Sequence, residues 1–400
     1  MQSTSTQTLH EILALLASQA DNFVEALTEI ASYRSAHDEI ARSMKALAGA
    51  SLELEQHRPE PLEQLMVFHP SNNVLYSYIL YAVIPSLYSR SILLRPSSRA
   101  VRPVQRIYEL ISSRVDLPIT VTMVSQRSFA ARLPEAEVIV FTGTQERAQS
   151  IADQLAPEQL FLFFGSGFNP LVIGPAADLD LALRGTLRAR LYNSGQDCLC
   201  PDVIFVAESI CDRFVAQLLE ELAQVQLHTE RGSKGAEVVP LYYDDILPRV
   251  IPYLEQWREH IVAGGSVDPQ TRLMTPTVLV SPLGQHPKEV ELFAPIFNIV
   301  RYRAVEDVYA LLTADHGIEH AMYLCNYGEL GLTRELEPPY LLCYNEIPLD
   351  VEDGNRPFGG YGTWAGFVQS AGRRIGRPLL ISAEVTNWQR ERKRRQHDTD

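Results

Sequence analysis

The sequence predicts an α/β fold built on parallel sheets. Short β-branched and aromatic runs alternate with longer helical stretches along the chain. These runs are apolar at successive positions rather than at alternate ones, so their strands are buried on both faces. With 400 residues, 46% of them hydrophobic and 21% charged, the chain can fill two to three domain cores without disulfide or metal staples.

The first stretch reads as helix. Ile12, Leu15, Leu16, Phe23, Leu27 and Ile30 recur at three- and four-residue steps, and Ile40, Met44 and Leu47 resume the pattern after a polar break. This is expected to be a packing layer, followed by a polar connector from Glu55 to Glu63. Leu65–Phe68 is the first strand, and His69-Pro70-Ser71-Asn72-Asn73 is a turn. Leu75 to Leu87 reads as a buried helix, Ile92–Leu94 as a strand and Val101 to Ser113 as a helix. Ile119–Val124 and Val138–Phe141 are strands, Gln145 to Leu155 a helix, and Leu160–Phe164 a strand. Parallel sheets bind ligands at the carboxyl ends of their strands. Those ends are Pro70–Asn73, Arg95–Ser98, Thr142–Thr144 and Gly165–Gly167.

A second α/β region follows. Leu171–Ile173 is a strand, and Leu179, Leu183, Leu187 and Leu191 mark a helix to Tyr192. Val203–Val206 is a strand and Cys211 to Leu222 a helix. Further strands are expected near Thr277–Val280, Ile299–Tyr302 and Leu341–Tyr344. The end, Gln389 to Asp400, is charged and aperiodic, and reads as a solvated tail. The predicted division is a cofactor-binding unit over 1–164, a catalytic unit over 165–375 and a C-terminal segment over 376–400.

Composition narrows the function. Thirty-five basic against 49 acidic residues give a net charge of −14, a poor match for a nucleic-acid backbone. The longest uncharged stretch, Gln64 to Ser89, carries prolines, asparagines, serines and tyrosines that hydrocarbon does not accept cheaply. The start lacks a basic, apolar signal, and five cysteines make no secreted disulfide framework. A cytoplasmic protein is expected, with no nucleic acid, membrane or metal among its partners.

Asn193-Ser194-Gly195-Gln196-Asp197-Cys198 is the most informative stretch. A helix stops at Asn-Ser-Gly and a strand starts near Val203, which places Cys198 on a short connector with its thiol projecting. A loop thiol beside backbone N–H groups can be activated as a nucleophile. Cys198-x-Cys200 lacks the His or Cys partners that a metal site needs.

Several segments resemble the aldehyde dehydrogenase superfamily. Phe168-Asn169-Pro170 with Ala177-Asp178-Leu179-Asp180 is similar to its "KNP…DADLD" pattern, and Asn193–Cys198 with Pro201-Asp202 to "NxGQxCxxP". The resemblance implies an aldehyde dehydrogenase-like fold: a Rossmann-type cofactor domain with an α/β catalytic domain. It implies Cys198 as nucleophile. Pro70-Ser71-Asn72 resembles "PWN", which implies Asn72 as an oxyanion donor. Arg95-Pro96-Ser97-Ser98 resembles "KPSE", and Phe141-Thr142-Gly143-Thr144 resembles "FTGS". Glu291-Leu292-Phe293-Ala294-Pro295 resembles "ExFGP". These imply Arg95, Ser98, Thr142, Gly143, Thr144, Glu291 and Phe293 as the holders of NAD or NADP. Asn345 and Pro357-Phe358-Gly359-Gly360 resemble the closing "N…PFGG".

The departures refine the expectation. Where the family reads "ELGGK", this chain has Phe164-Gly165-Ser166-Gly167-Phe168. Phe164 stands at the position of the Glu that activates water, and phenylalanine accepts no proton. Interconversion of an aldehyde with an acyl thioester, such as acyl-coenzyme A, is therefore favoured. The alternatives are oxidation to the acid with a substitute base, or a catalytically weakened binding or scaffold protein. Asp197 is the candidate substitute base, although a solvent-facing loop role is expected for it. Ser98, flanked by Arg95 and Arg99, replaces a carboxylate and tilts the expectation toward NADP. Phe164, Phe168, Phe297 and Trp364 are expected to line an apolar substrate tunnel. A homodimer is expected, although segments that build dimer and tetramer contacts in the family look trimmed here.

Overall fold

The computed structural model describes residues 2–285, 291–328 and 339–397. It contains two seven-stranded sheets, each sandwiched between helices. The first sheet holds β1 (Leu65–Phe68), β2 (Ile92–Arg95), β3 (Ile119–Val121), β4 (Val138–Thr142) and β5 (Leu160–Phe164), all mutually parallel. The second holds β6 (Pro170–Ile173), β7 (Val203–Ala207), β8 (Ile261–Ala263), β9 (Thr277–Pro282), β10 (Ile296–Tyr302), β11 (Tyr323–Tyr327) and β12 (Leu341–Tyr344). The hairpin β13 (Gly366–Ser370) and β14 (Arg373–Ile375) then returns to the first sheet, where β13 runs antiparallel to β5. The orders are β14-β13-β5-β4-β1-β2-β3 and β12-β11-β6-β7-β10-β9-β8.

Central strands follow the apolar runs because both of their faces are covered. All residues of β1 and of β5 are buried. On one side of the first sheet lie the N-terminal helices Gln2–Ser18, Ala20–Leu27 and Tyr33–His57, with Val101–Ser112 and the face of the final helix that carries Ile381, Val385 and Trp388. On the other side Phe129, Phe141, Phe161, Phe163 and Phe367 form an aromatic layer. Burial of each such ring contributes about 1.5–3 kcal/mol before entropy is counted. The register sets Phe68 opposite both Arg95 and Phe141, so the chain leaves β1, β2 and β4 along a common edge.

Several expectations are corrected. The expected unit over 165–375 does not coincide with the second sheet, because residues 366–375 hydrogen-bond to the first. The charged end is no tail: Ile381–His397 is one helix. Trp388 anchors it by donating from Nε1 to the Glu158 carbonyl at 3.0 Å. Arg392 and Lys393 pair with Glu137 and Glu60, and residues 398–400 lie outside the described residues. The connector from Glu55 begins as helix, which closes at Arg58 in a left-handed cap with φ 54°. The stretch 74–87 is not one α-helix. It runs as α (Val74–Tyr78), then π (Ile79–Val83), then 3₁₀ (Pro85–Leu87). Pro85 has no N–H to donate four residues back and its ring crowds that carbonyl, so the turn before it widens.

Candidate active site

Cys198 lies between the helix Leu179–Leu191 and β7, on a backbone with three successive left-handed residues. These are Asn193 (φ 46°), Ser194 (φ 58°) and Gly195 (φ 77°). Such conformations cost on the order of 1 kcal/mol or more for non-glycine residues, so the surroundings must impose them. Asn193 Oδ1 accepts from Ser32 N–H at 3.0 Å, and Ser194 Oγ donates to the Val239 carbonyl at 3.0 Å. A Cβ on Gly195 would lie 2.4 Å from the Ala294 carbonyl oxygen, so only glycine fits there. Gln196 Oε1 accepts from Tyr242 N–H at 2.7 Å. Arg190, buried, donates to the carbonyls of Pro201 and Ala294. These are the physical reasons for the Asn-Ser-Gly-Gln residues that precede the cysteine.

Asn169 is a positioning residue that the sequence marks only as part of a motif. Its Nδ2 donates to the Cys198 carbonyl at 2.8 Å, and its backbone N–H donates to Asp202 Oδ2 at 2.9 Å. Asp197 is buried, which overturns its expected solvent-facing role. Its two carboxylate oxygens accept from Asn73 Nδ2 at 2.7 Å and from Leu199 N–H at 2.8 Å. A carboxylate held this way is a loop clamp, and its candidacy as a substitute base loses support.

One cleft brings together Cys198, Asn72, Thr142 and Phe164. Asn72 reaches it from the end of β1 and Thr142 from the end of β4. Phe164, at the end of β5, stacks on Tyr81 with ring centroids 5.0 Å apart. Of the other expected tunnel aromatics, Phe168 and Phe297 are buried in the core of the second sheet, and Trp364 stacks on His320 at 4.6 Å. None of these three lines the cleft. Phe358 does line it.

The thiol is not a standing thiolate. Burial pushes the Cys198 pKa well above its ordinary value, and the negative charges of Asp197 and Glu291 push it further, while Arg42 opposes them. The side chain nevertheless faces the cleft, half-buried, as its place on the connector implies. Arg42 belongs to a network that the apolar pattern of the N-terminal helices concealed. It pairs with Glu352, and Tyr76 donates from its hydroxyl to Glu352 Oε1 at 2.8 Å. All three residues stand in the cleft wall. The expected packing layer is thus also part of the site.

The expected cofactor residues lie around the strand ends. Ser98, Gly143 and Thr144 are exposed there. Arg95 donates from Nε to the Val124 carbonyl at 3.0 Å. Arg99 is taken up by Asp245 at 3.1 Å and by the face of Tyr243. Glu291 accepts from Ser166 Oγ, at the end of β5. Burial, with Asp202 adding to it, raises the Glu291 carboxyl to about 8. Phe293, at φ 50°, meets Tyr243 edge-on at 5.9 Å. Small, exposed residues at the ends of β2 and β4 leave room for a dinucleotide, and the donor set fits its ribose and phosphate oxygens. Among the described residues, no group of three or more His, Cys, Asp or Glu could hold a metal ion, and no helix is long and apolar enough to cross a membrane.

A first sheet of five parallel strands, extended by an antiparallel hairpin, thus faces a second α/β unit across a cleft lined by a cysteine. The chain belongs to the aldehyde dehydrogenase family, whose family model matches residues 4–316. It is 24% identical over 283 residues to a 4,4'-diapolycopene-4,4'-dial dehydrogenase of Cytobacillus firmus, covering 68% of this chain and 60% of that protein. It is 27% identical over 245 residues to an N-succinylglutamate 5-semialdehyde dehydrogenase of Paraburkholderia xenovorans, covering 57% and 47%. The chain thus spans about half of the length of these curated relatives. Among solved structures, a glyceraldehyde-3-phosphate dehydrogenase from Methanocaldococcus jannaschii complexed with NADP superposes with a TM-score of 0.81 at 18% identity, covering 96% of this chain and 87% of that one. A 1-pyrroline-5-carboxylate dehydrogenase from Thermus with bound NAD gives 0.79 at 17% identity, covering 97% and 80%. These likenesses establish the aldehyde dehydrogenase-like fold.

Proposed function

We propose that the chain is a nicotinamide-dependent aldehyde oxidoreductase that interconverts an aldehyde with an acyl thioester. The observation that carries this reading is the cleft itself: Cys198 and Asn72 share it with an apolar ring, Phe164, in place of a base.

Cys198 gives its proton to solvent and its Sγ thiolate attacks the aldehyde carbon. Asn72 Nδ2 and the Cys198 backbone N–H donate to the resulting oxyanion, and one such donor contributes roughly 3–4 kcal/mol in comparable sites. Ser98, Thr142, Gly143, Thr144 and Glu291 would hold a nicotinamide cofactor, which would supply the acceptor for the aldehyde hydride. The acyl group is left on Sγ as a thioester. A second thiol of the coenzyme A class attacks that carbonyl, and Cys198 Sγ leaves as the thiolate. Phe164, stacked on Tyr81, puts an apolar ring where water would need a general base, which supports a thiol as the acyl acceptor.

Release of acyl-enzyme tests this. Protein loaded with an aldehyde and NADP should release its acyl group faster with coenzyme A than in plain buffer. Equal, rapid release of carboxylic acid in buffer would sink the thioester reading. NADP is the preferred cofactor in this reading, on the strength of Arg95 alone, because Asp245 occupies Arg99.

A further inference from the structure

One wall of the cleft is the helical stretch that follows β1. Tyr76, Leu80, Ile84 and Tyr88 are spaced four apart, and all four line the cavity. In a straight α-helix four residues turn about 400°, so such a stripe drifts by about 40° per step and would leave the wall. The π turn Ile79–Val83, closed by the Ile84 N–H on the Ile79 carbonyl at 2.9 Å, interrupts that drift. A π turn takes more residues per turn, and such turns recur at functional sites. Here it keeps an aliphatic and aromatic stripe on the cavity. Phe164, Phe358, Leu379 and Ile381 face it from other elements. The charges in the lining are engaged or peripheral: Arg42 is paired to Glu352, Glu53 accepts from Asn355 Nδ2 at 2.8 Å, and Arg356 is exposed.

The end of the stripe is polar. Tyr88 is 8% exposed, and its hydroxyl has no hydrogen-bond partner. A buried hydroxyl left without a partner is costly, and such a group calls for one. Tyr81 and Cys198 line the same cleft. The seven residues from Tyr81 to Tyr88 rise by roughly 10 Å, which an extended alkyl chain covers with about eight carbons.

Resting on the reading of Cys198 as the aldehyde-binding thiol, we infer that the substrate is an aldehyde on a linear apolar chain of about eight or more carbons that ends in a hydrogen-bonding group, received by the Tyr88 hydroxyl. The apolar stripe takes the chain and Tyr88 takes its far end.

Calorimetric titration with unreactive carboxamides reads this cleft without turnover. Each buried methylene is worth about a fourfold gain in affinity, so decanamide should bind at least about 100-fold more tightly than butanamide. The compound 10-hydroxydecanamide should bind about fivefold more tightly than decanamide, and Tyr88→Phe should erase that gain while leaving decanamide binding near wild type. The retained decanamide affinity also reports that the variant is folded. Equal affinities for butanamide and decanamide would overturn the chain-length inference. A hydroxyl preference that survives in Tyr88→Phe would overturn the role of Tyr88. Intact amide preferences with no adduct mass on Cys198 from decanal would instead defeat the catalytic reading on which the site rests.

Discussion

Asn73 donates from Nδ2 to Asp197 Oδ2 at 2.7 Å, across 124 residues of chain. The bond ties the turn after β1, which carries Asn72, to the loop that carries Cys198. Asn73 sits at φ 47°, a left-handed conformation that asparagine tolerates better than most residues. One side chain thereby sets the turn and spans the cleft, so the separation of the proposed oxyanion donor and nucleophile is fixed by the same bond.

That tie is testable through kcat. Asn73→Gly keeps the backbone conformation and removes the amide. It should lower kcat by roughly 10–100-fold with a smaller change in KM, because misplacement of the reacting groups acts on the transition state. Asn72→Ala should lower kcat by about 10²–10³, the range for loss of an oxyanion donor. An unchanged kcat with a raised KM in Asn72→Ala would make Asn72 a ground-state binding residue.

The two neighbouring cysteines should behave differently. Cys198 lines the cleft, whereas Cys200 is buried and its thiol faces the Tyr192 carbonyl at 3.9 Å. Cys198→Ser should abolish turnover and leave cofactor binding near normal. Cys200→Ser should retain most activity. Wild-type rates in Cys198→Ser with an aldehyde that the protein turns over would remove Cys198 from the nucleophile role. Because the thiol pKa is raised, turnover by the wild type should also climb with pH through the alkaline range.

The cofactor lean now rests on one arginine. Arg95→Ala should weaken NADPH about tenfold and leave NADH unchanged, since a guanidinium on a phosphate makes charge-assisted bonds. Arg99→Ala should change both little, because Asp245 already holds that side chain. Fluorescence titration of both reduced cofactors decides it, and tighter NADH binding by the wild type would reverse the lean.

Legibility in the sequence tracked burial. The runs at Leu65–Phe68 and Leu160–Phe164 have the very bounds of β1 and β5, because strands buried along their whole length leave no polar alternation to blur them. The β13–β14 hairpin was not legible. Its pairing with β5 joins residues about 200 apart in sequence, and no local pattern encodes such a partner. Motif residues placed Cys198 and Asn72 in one cleft, yet Arg42 and Glu352 in its wall, and the buried Glu39 behind it, went unread. Arg42 and Glu39 sit on a helix whose apolar spacing describes only its packing face, and a polar residue there looks the same whether it meets water or a buried partner. Asp197 misled for the same reason: its burial is created by Asn73, which the sequence does not show to be near.

Glu39 carries a pH dependence of stability. Its side chain is 3% exposed and accepts from the N–H groups of Leu75 at 2.6 Å and Tyr76 at 3.1 Å. Burial nevertheless lifts its carboxyl from 4.5 to about 7, because those bonds and Arg42 only partly offset the loss of water. The folded state therefore binds the Glu39 proton more tightly than the unfolded state does. Its contribution is fully present below about 4.5 and is lost as pH rises through 7. Asp202, raised to about 6, and Glu291, raised to about 8, act in the same direction. Urea unfolding of the wild type should accordingly show lower stability at pH 8 than at pH 5.5, with Glu39 alone responsible for about 2 kcal/mol of the difference. Glu39→Gln can still accept from both N–H groups and has no proton to lose. It should match the wild type at the lower pH and exceed it at the higher. A wild type and variant that lose stability in parallel would place the proton on another group.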